Sequence, residues 1–115
     1  MPSQRWLKDI GERKKLLGQD SVKRMAETFV EEMDALLDNM VAALRCGNTG
    51  EARRWAHHLG GNAGALDFIE LTALAQQIEI HCIKNDKESA FGAIQMTVPI
   101  AQRDASDIRR HFGLE

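Results

Sequence analysis

The chain has 115 residues, of which 43% are hydrophobic and 28% are charged, and its formal net charge is −2. This length and composition are typical of one soluble globular domain, and the slight acidity disfavours a nucleic-acid-binding module, which usually carries a basic excess. No apolar run approaches the ~20 residues that span a bilayer, and no signal peptide is recognisable, so a cytoplasmic protein without membrane insertion is expected.

The first half of the chain predicts a short helical segment followed by a long helix. Residues 4–17 favour one or two short helical turns, interrupted by Gly11, that cover the protein as a lid. Asp20-Ser21 is a plausible N-cap for a helix that ends near residues 46–48. Apolar residues recur along this helix at spacings of three and four, as in an amphipathic helix. They are Val22, Met25, Phe29, Met33, Leu36, Leu37, Met40 and Leu44.

A third helix is expected from a cap at Thr49 to about Leu66. Directly after it, Asp67 and Glu70 have the spacing of a capping box, so a fourth helix is expected to start there. This helix extends to about residue 84, and it buries an apolar stripe of its own. The members of that stripe are Leu71, Leu74, Ala75, Ile78 and Cys82.

Asn85-Asp86 predicts a turn, and the last helix follows it. Pro99 is expected to kink or split this helix, because proline lacks an amide hydrogen and clashes with the preceding turn. Four amphipathic helices with short connections predict an all-α fold, an antiparallel four-helix bundle with a short N-terminal helical lid. The whole chain, residues 1–115, is expected to form this one domain.

The segment 56–66 contains three glycines inside the predicted third helix. At about 100° per residue, His57 shares a face with Gly60, Gly61 and Gly64. Each glycine costs about 1 kcal/mol relative to alanine, so a compensating role is expected. The glycines remove side chains from the surface around the imidazole, which would leave His57 accessible to another macromolecule. The opposite face carries Ala52, Ala56, Leu59, Ala63 and Leu66.

This segment also carries a family resemblance. Ala56-His57-His58-Leu59-Gly60-Gly61-Asn62-Ala63 resembles the Ala-His-x-Leu-Lys-Gly-x-Ala signature of histidine-containing phosphotransfer (Hpt) domains. The similarity continues into the next helix, at Leu71, Leu74, Ala75, Ile78 and Glu79. The chain departs from the family pattern at Gly60, where lysine is usual, and at Asp67, where glycine is usual.

The resemblance implies a bacterial phosphorelay intermediate without autonomous kinase activity. His57 would accept a phosphoryl group from, and donate it to, aspartates of response-regulator receiver domains, including those of a hybrid sensor histidine kinase. The Mg²⁺ of the reaction would belong to the receiver, so no cofactor or metal is expected in this chain, and it has no P-loop pattern. A monomer is expected, either as a free protein or as the cytoplasmic C-terminal domain of a membrane-bound hybrid kinase.

The resemblance and the helical spacing assign supporting roles to residues near His57. Glu79 occupies a position where the family often has a polar residue that hydrogen-bonds the imidazole. Arg53 and Arg54 precede His57 by four and three residues, so they lie on its side of the helix and could attract an acidic partner. They are equally compatible with an ordinary solvated face. His58 is expected at the rim of a docking surface that also includes the three glycines.

Two other functions and one metal site compete with this hypothesis. A receiver- or protein-binding helical module with weak or no phosphotransfer is the main alternative, because Gly60 replaces the usual lysine. The dimerisation region of a sensor kinase is disfavoured, since His58 and Leu59 rather than an acidic residue directly follow His57, and no proline comes before Pro99. A zinc site formed by His81, Cys82 and Cys46 together with His57 and His58 is disfavoured, because the spacing lacks the paired ligands of zinc sites. Reduced thiols are the expected state of both cysteines.

Overall fold

The computed structural model describes residues 2–114, which form five α-helices and no strand. The helices are α1 (Gln4–Leu17), α2 (Gln19–Arg45), α3 (Thr49–Ala65), α4 (Ile69–Ile83) and α5 (Lys87–Phe112). Among the last four, α2 packs on α3, α3 on α4, α4 on α5 and α5 on α2. Because only three residues connect each to the next, consecutive helices run antiparallel. The predicted antiparallel four-helix bundle is therefore confirmed, in a molecule 42 Å long.

The apolar stripes predicted from the sequence form the core of this bundle, except that Leu74 of the α4 stripe is only half-buried and lies outside the core. All members of the α2 stripe are buried except Met25, which is half-buried. Helix α3 contributes mostly small residues, and its predicted inner face is fully buried, as its members each have 0% exposure. They are Ala52, Ala56, Leu59, Ala63 and Leu66. Small side chains on α3 allow the neighbouring helices to approach it closely. The distance of this approach determines how near the polar residues of those helices come to the outer face of α3.

The three turns of the bundle share one backbone conformation. Helices α2, α3 and α4 are each followed by a residue with positive φ: Gly47 (76°), Asp67 (61°) and Asn85 (57°). In each turn the N–H groups bond back to carbonyls of the last helical turn, as Asp67 N–H does to the Gly64 carbonyl at 3.1 Å. This is the Schellman motif. Glycine, asparagine and aspartate are the residue types that best tolerate the left-handed conformation, so the residue found in each turn suits the backbone conformation there.

The residue after each left-handed position is the N-cap of the next helix. The side chain of Asn48 accepts a hydrogen bond from Glu51 N–H at 3.0 Å, and that of Asp86 accepts one from Ser89 N–H at 3.1 Å. The prediction that Thr49 caps α3 is therefore wrong by one residue. Asparagine accepts a hydrogen bond from a free amide of the first helical turn as well as threonine does, so residue type alone does not distinguish Asn48 from Thr49 as the N-cap.

Asp67 does not cap α4, contrary to the capping-box prediction. The N-cap is Phe68, which offers no side-chain acceptor. Asp67 is the left-handed residue of the turn, and its carboxylate accepts two hydrogen bonds from Arg13 of α1, at 2.7 Å from Nε and 3.0 Å from Nη2. The Asp67 side chain thus makes a long-range contact with α1 instead of the local capping contact predicted for α4.

Helix α1 lies across the end of the bundle where α3 turns into α4. Trp6 is buried there, and its Nε1–H donates to the Leu66 carbonyl at 2.8 Å. The Trp6 ring also stacks on the Phe68 ring, with 5.3 Å between centroids. The predicted lid is therefore present, and its anchor is the α3–α4 turn.

Three local predictions differ from the structure in whole or in part. Gly11 does not interrupt α1, because burial of Trp6 and Ile10 offsets the ~1 kcal/mol cost of one helical glycine. Pro99 does not split α5, which is continuous; Pro99 is exposed, so water can bond the carbonyl left without an amide. Helix α2 begins directly after Gly18 rather than at Asp20-Ser21. Of the three, Gly11 is the case in which burial overrides a local signal.

Candidate functional site

His57 lies in the middle of α3 with most of its ring in solvent. Its side chain is 81% exposed, and Nδ1 is 3.1 Å from Oε1 of Glu79 on α4, a carboxylate that is only 17% exposed. An ionised carboxylate can only accept a hydrogen bond, so Nδ1 carries the hydrogen. Nε2 of the neutral ring is then the nitrogen with a free lone pair. The structure thus brings together the two residues that the sequence analysis paired.

His58, the next residue, is held in the opposite way. Its Nε2 is 2.9 Å from Oε2 of Glu32 on α2, and its ring stacks on Trp55 with 6.5 Å between centroids. By the same argument Nε2 carries the hydrogen, and the ring is held between a carboxylate and an indole. Sequence reasoning missed both partners. Only the register of α2 against α3 brings Glu32 to His58, whereas Trp55 precedes His58 by three residues, a helical spacing that could have identified it.

The two histidines line one shallow depression on the outer surface of α3 and α4. Its other lining residues are Arg53, Arg54 and Glu79. Both arginines are exposed, and neither forms an ion pair with the residues that the structure describes, 2–114. Their predicted position on the His57 side of the helix is confirmed. Their cationic groups are therefore available to an anionic partner.

The glycines near His57 differ in their surroundings. A Cβ atom on Gly61 would have no neighbour within 4 Å, so the surface there is open as predicted. Gly60 and Gly64 are half-buried at the interface with α4, where a Cβ would meet Ala75 at 3.4 Å and Thr72 at 3.8 Å, respectively. The prediction that all three glycines face solvent is wrong for these two. Gly60 and Gly64 instead lie beside α4, where a Cβ would make ordinary van der Waals contacts.

Comparison with protein-family models identifies the family. The model of the Hpt domain matches residues 24–111, which include the depression around His57 and most of the four bundle helices. The chain belongs to the Hpt domain family. Helix α1 of this Hpt domain lies outside the matched range. No curated protein and no solved structure is significantly similar to the chain.

Membership in the Hpt family gives the depression a chemical context. Hpt domains transfer phosphoryl groups in phosphorelays and interact with response regulators.

Within residues 2–114 no helix combines the length and the apolarity needed to cross a membrane. In the same part of the chain, His, Cys, Asp and Glu side chains form no group of three or more that could hold a metal ion. Cys82 belongs to the core, and this burial raises the pKa of its thiol, an effect to which the nearby Glu79 carboxylate adds.

Proposed function

We propose that this Hpt domain is a phosphorelay intermediate whose phosphoacceptor is His57. The observation that carries the proposal is the pair formed by His57 and Glu79. The exposed ring donates its Nδ1–H to a largely buried carboxylate, which leaves the Nε2 lone pair for an incoming phosphoryl group. Such transfer depends mainly on positioning and on stabilisation of charge, so a rigid helical surface is sufficient for this chain's part in it.

The transfer step follows from this geometry. The Nε2 lone pair attacks the phosphorus of an aspartyl phosphate on a receiver domain, the bond between phosphorus and the acyl oxygen breaks, and the aspartate leaves as a carboxylate. The imidazole ring gains positive charge as the bond between nitrogen and phosphorus forms. Glu79, 3.1 Å from Nδ1, stabilises that charge and keeps the proton on Nδ1. The reverse step returns the phosphoryl group to a receiver aspartate.

Arg53 and Arg54 assist the encounter in this proposal. Receiver domains present an acidic pocket around their aspartate, and two exposed guanidinium groups beside His57 attract it. The same groups supply positive charge to the phosphoryl group from the N-terminal side of His57, whereas the lysine usual in the family would lie on the C-terminal side, at Gly60. The Mg²⁺ required for the reaction belongs to the receiver, and this chain is expected to bind no cofactor and to have no kinase activity of its own.

The wider setting is part of the same proposal. The expected partners are response-regulator receiver domains in the bacterial cytoplasm, including those of a hybrid sensor histidine kinase, with this domain as a monomer. The alternative is a docking module that binds receivers and transfers poorly, and Gly60 is the observation that favours it. Both functions require the surface around His57, but only the first requires the nucleophile.

The test is phosphoryl transfer from a ³²P-labelled receiver domain to His57→Gln and His58→Gln variants. We expect His57→Gln to accept no label and to keep its helix content in circular dichroism, because an exposed position tolerates the change. His58→Gln is the matched control and should still be labelled, since its Nε2–H is committed to Glu32. The label should be lost in acid and retained in alkali, as for a phosphoramidate.

Three results would contradict the proposal. Equal labelling of His57→Gln and wild type would exclude His57, and loss of label in His58→Gln alone would move the acceptor by one residue. Receiver binding without any labelling of the wild-type chain would establish the docking module instead.

A further inference from the structure

The side of α4 that faces away from the core carries an uncharged, largely apolar row of residues. Five positions at alternating spacings of four and three lie within about 80° of one another on this side of the helix. All five are exposed, and the three isoleucines among them have exposed fractions of 61%, 40% and 63% along the chain. The members of this outward row are Ile69, Ala73, Gln76, Ile80 and Ile83. Aligned apolar residues in solvent are typical of a surface that binds another protein.

One end of the outward row borders the depression around His57. Helices α3 and α4 run antiparallel, and the contact of 3.1 Å between His57 and Glu79 fixes their relative level. Ile80 directly follows Glu79, so it lies at the level of the imidazole. Ile83 lies one turn further, at the level of Arg53, which precedes His57 by four residues. A protein that reaches His57 therefore has these two isoleucines directly beside it.

The opposite flank of α3 is formed by α2 and is acidic. Between residues 27 and 38, α2 carries five carboxylates and no basic residue. They are Glu27, Glu31, Glu32, Asp34 and Asp38. Glu32 brings this charge to the edge of the depression, since its Oε2 is 2.9 Å from Nε2 of His58. The two flanks of the depression thus differ in charge, one being uncharged and the other negative.

The charge of the partner distinguishes the two flanks. A phosphorylated receiver is anionic at the point of contact, because it presents the phosphoryl group and the carboxylates that hold Mg²⁺. The carboxylates of α2 repel such a surface, whereas the outward row of α4 does not and gains from burial of its isoleucines. On the basis of the proposed function, we propose that the receiver docks across α3 and α4, and that an apolar surface next to its aspartate covers Ile80 and Ile83.

The test measures binding of a receiver domain loaded with Mg²⁺ and beryllofluoride, which occupies the phosphoryl position and is not transferred. Receivers from the same genome are titrated onto the chain by calorimetry, and the one that binds most tightly is used. We expect Ile80→Ser and Ile83→Ser each to weaken binding by about tenfold, because each removes an apolar side chain from the contact. Their helix content and melting temperature should stay near those of wild type, since both positions are exposed.

Two control variants should bind the receiver as the wild type does. Leu16→Ser removes an equally apolar side chain, 84% exposed, from α1 at the end of the bundle. Thr28→Trp adds bulk to an exposed position of α2 beside α3. Transfer from the phosphorylated receiver gives a second measurement. Ile83→Ser should raise the half-saturating receiver concentration and leave the maximal rate near that of wild type, because His57 and Glu79 are unchanged.

Four results would overturn the docking proposal. They are unchanged affinity in both isoleucine variants, weakened binding in Thr28→Trp alone, binding of no receiver at all, and a dimer of the wild-type chain that Ile83→Ser dissociates in sedimentation equilibrium. The second result would place the receiver over α2, and the last would assign the outward row to a second copy of this chain. Binding that depends on the isoleucines without any labelling of His57 would support the docking surface and contradict the proposed phosphoacceptor.

Discussion

His57 and His58 are consecutive residues, yet neighbouring carboxylates leave different nitrogens available on their rings. Glu79 binds Nδ1 of His57, whereas Glu32 binds Nε2 of His58. His58 is further held by Trp55, while the His57 ring projects into solvent. A hydrogen bond to one ring nitrogen determines the role of the other, so the two residues are chemically distinct although their side chains are identical.

Substitution of Gly61 separates stability from partner access. A side chain at Gly61 meets nothing within 4 Å, and leucine has a higher helix propensity than glycine by up to ~1 kcal/mol. We therefore expect Gly61→Leu to leave the melting temperature unchanged or higher. The new side chain lies about 40° from His57 and one turn further along, where a receiver must approach. Transfer from a labelled receiver should fall at least tenfold, about 1.4 kcal/mol of activation free energy.

Gly61→Ala is the control for that experiment, because it gives the same propensity gain with little added bulk. Its transfer rate should stay near that of wild type. A much lower melting temperature for Gly61→Leu would mean that residue 61 packs against another element, and an unchanged transfer rate would place the docking surface elsewhere.

At the scale of elements, α1 and the α3–α4 turn depend on each other. The turn needs a left-handed residue, and Asp67 adopts that conformation at φ 61°, which costs a residue with a Cβ about 1–2 kcal/mol. Arg13 of α1 binds the Asp67 carboxylate through two hydrogen bonds and offsets part of that cost. Helix α1 lies outside the range matched by the Hpt family model, whereas the turn that it contacts lies inside that range.

The left-handed conformation of Asp67 can be tested with two variants that both remove the ion pair. Asp67→Gly relieves the strain, whereas Asp67→Ala retains it, so we expect the alanine variant to have a lower free energy of unfolding by about 1 kcal/mol. Urea denaturation measures the difference. The same pair at exposed Asp38, inside α2, should show the opposite order, because alanine favours a helix over glycine by about 1 kcal/mol. Equal stability of the two residue-67 variants would refute the account of the turn.

For the whole molecule, Asp104 makes stability depend on pH. Burial, the largest effect, raises its pKa from 3.8 to about 6, although Arg103 acts in the opposite direction. Asp107 on α5 and Glu70 on α4 add to the increase. A group with a raised pKa in the folded state contributes stability below the unfolded pKa, and that contribution is lost as the pH rises through the folded pKa. The ionised carboxylate therefore destabilises this domain above about pH 6.

Asp104→Asn removes this titration while nearly preserving shape. Near pH 4 the variant and the wild type should have similar free energies of unfolding, because the native carboxyl is then mostly protonated. Near pH 7.5 the variant should be more stable by on the order of 1–3 kcal/mol, since each pKa unit corresponds to about 1.4 kcal/mol. Urea denaturation at both pH values measures the difference between the two proteins. A variant that is less stable at pH 7.5 would show that the bond to Arg103 outweighs the cost of burial.

The sequence by itself determined the helices, the bundle and the face that carries His57. A period of 3.6 residues in the apolar pattern is a local property, and it placed the inner face of α3 correctly. The turns are local as well, since Gly47 and Asn85 are residue types suited to a left-handed conformation. The pairing of His57 with Glu79 followed from family resemblance, and the structure places the two residues 3.1 Å apart.

The tertiary structure decided every feature that depends on the register and separation of two helices. Glu32 reaches His58 only because α2 and α3 align at that level, and Gly60 is half-buried because α4 approaches α3 closely there. Asp67 pairs with Arg13, which is distant in sequence, instead of capping α4 as predicted. The surroundings of Asp104 are formed by three elements at once, α1, α4 and α5. Interhelical register comes from the summed packing of many side chains, and no short stretch of sequence encodes it.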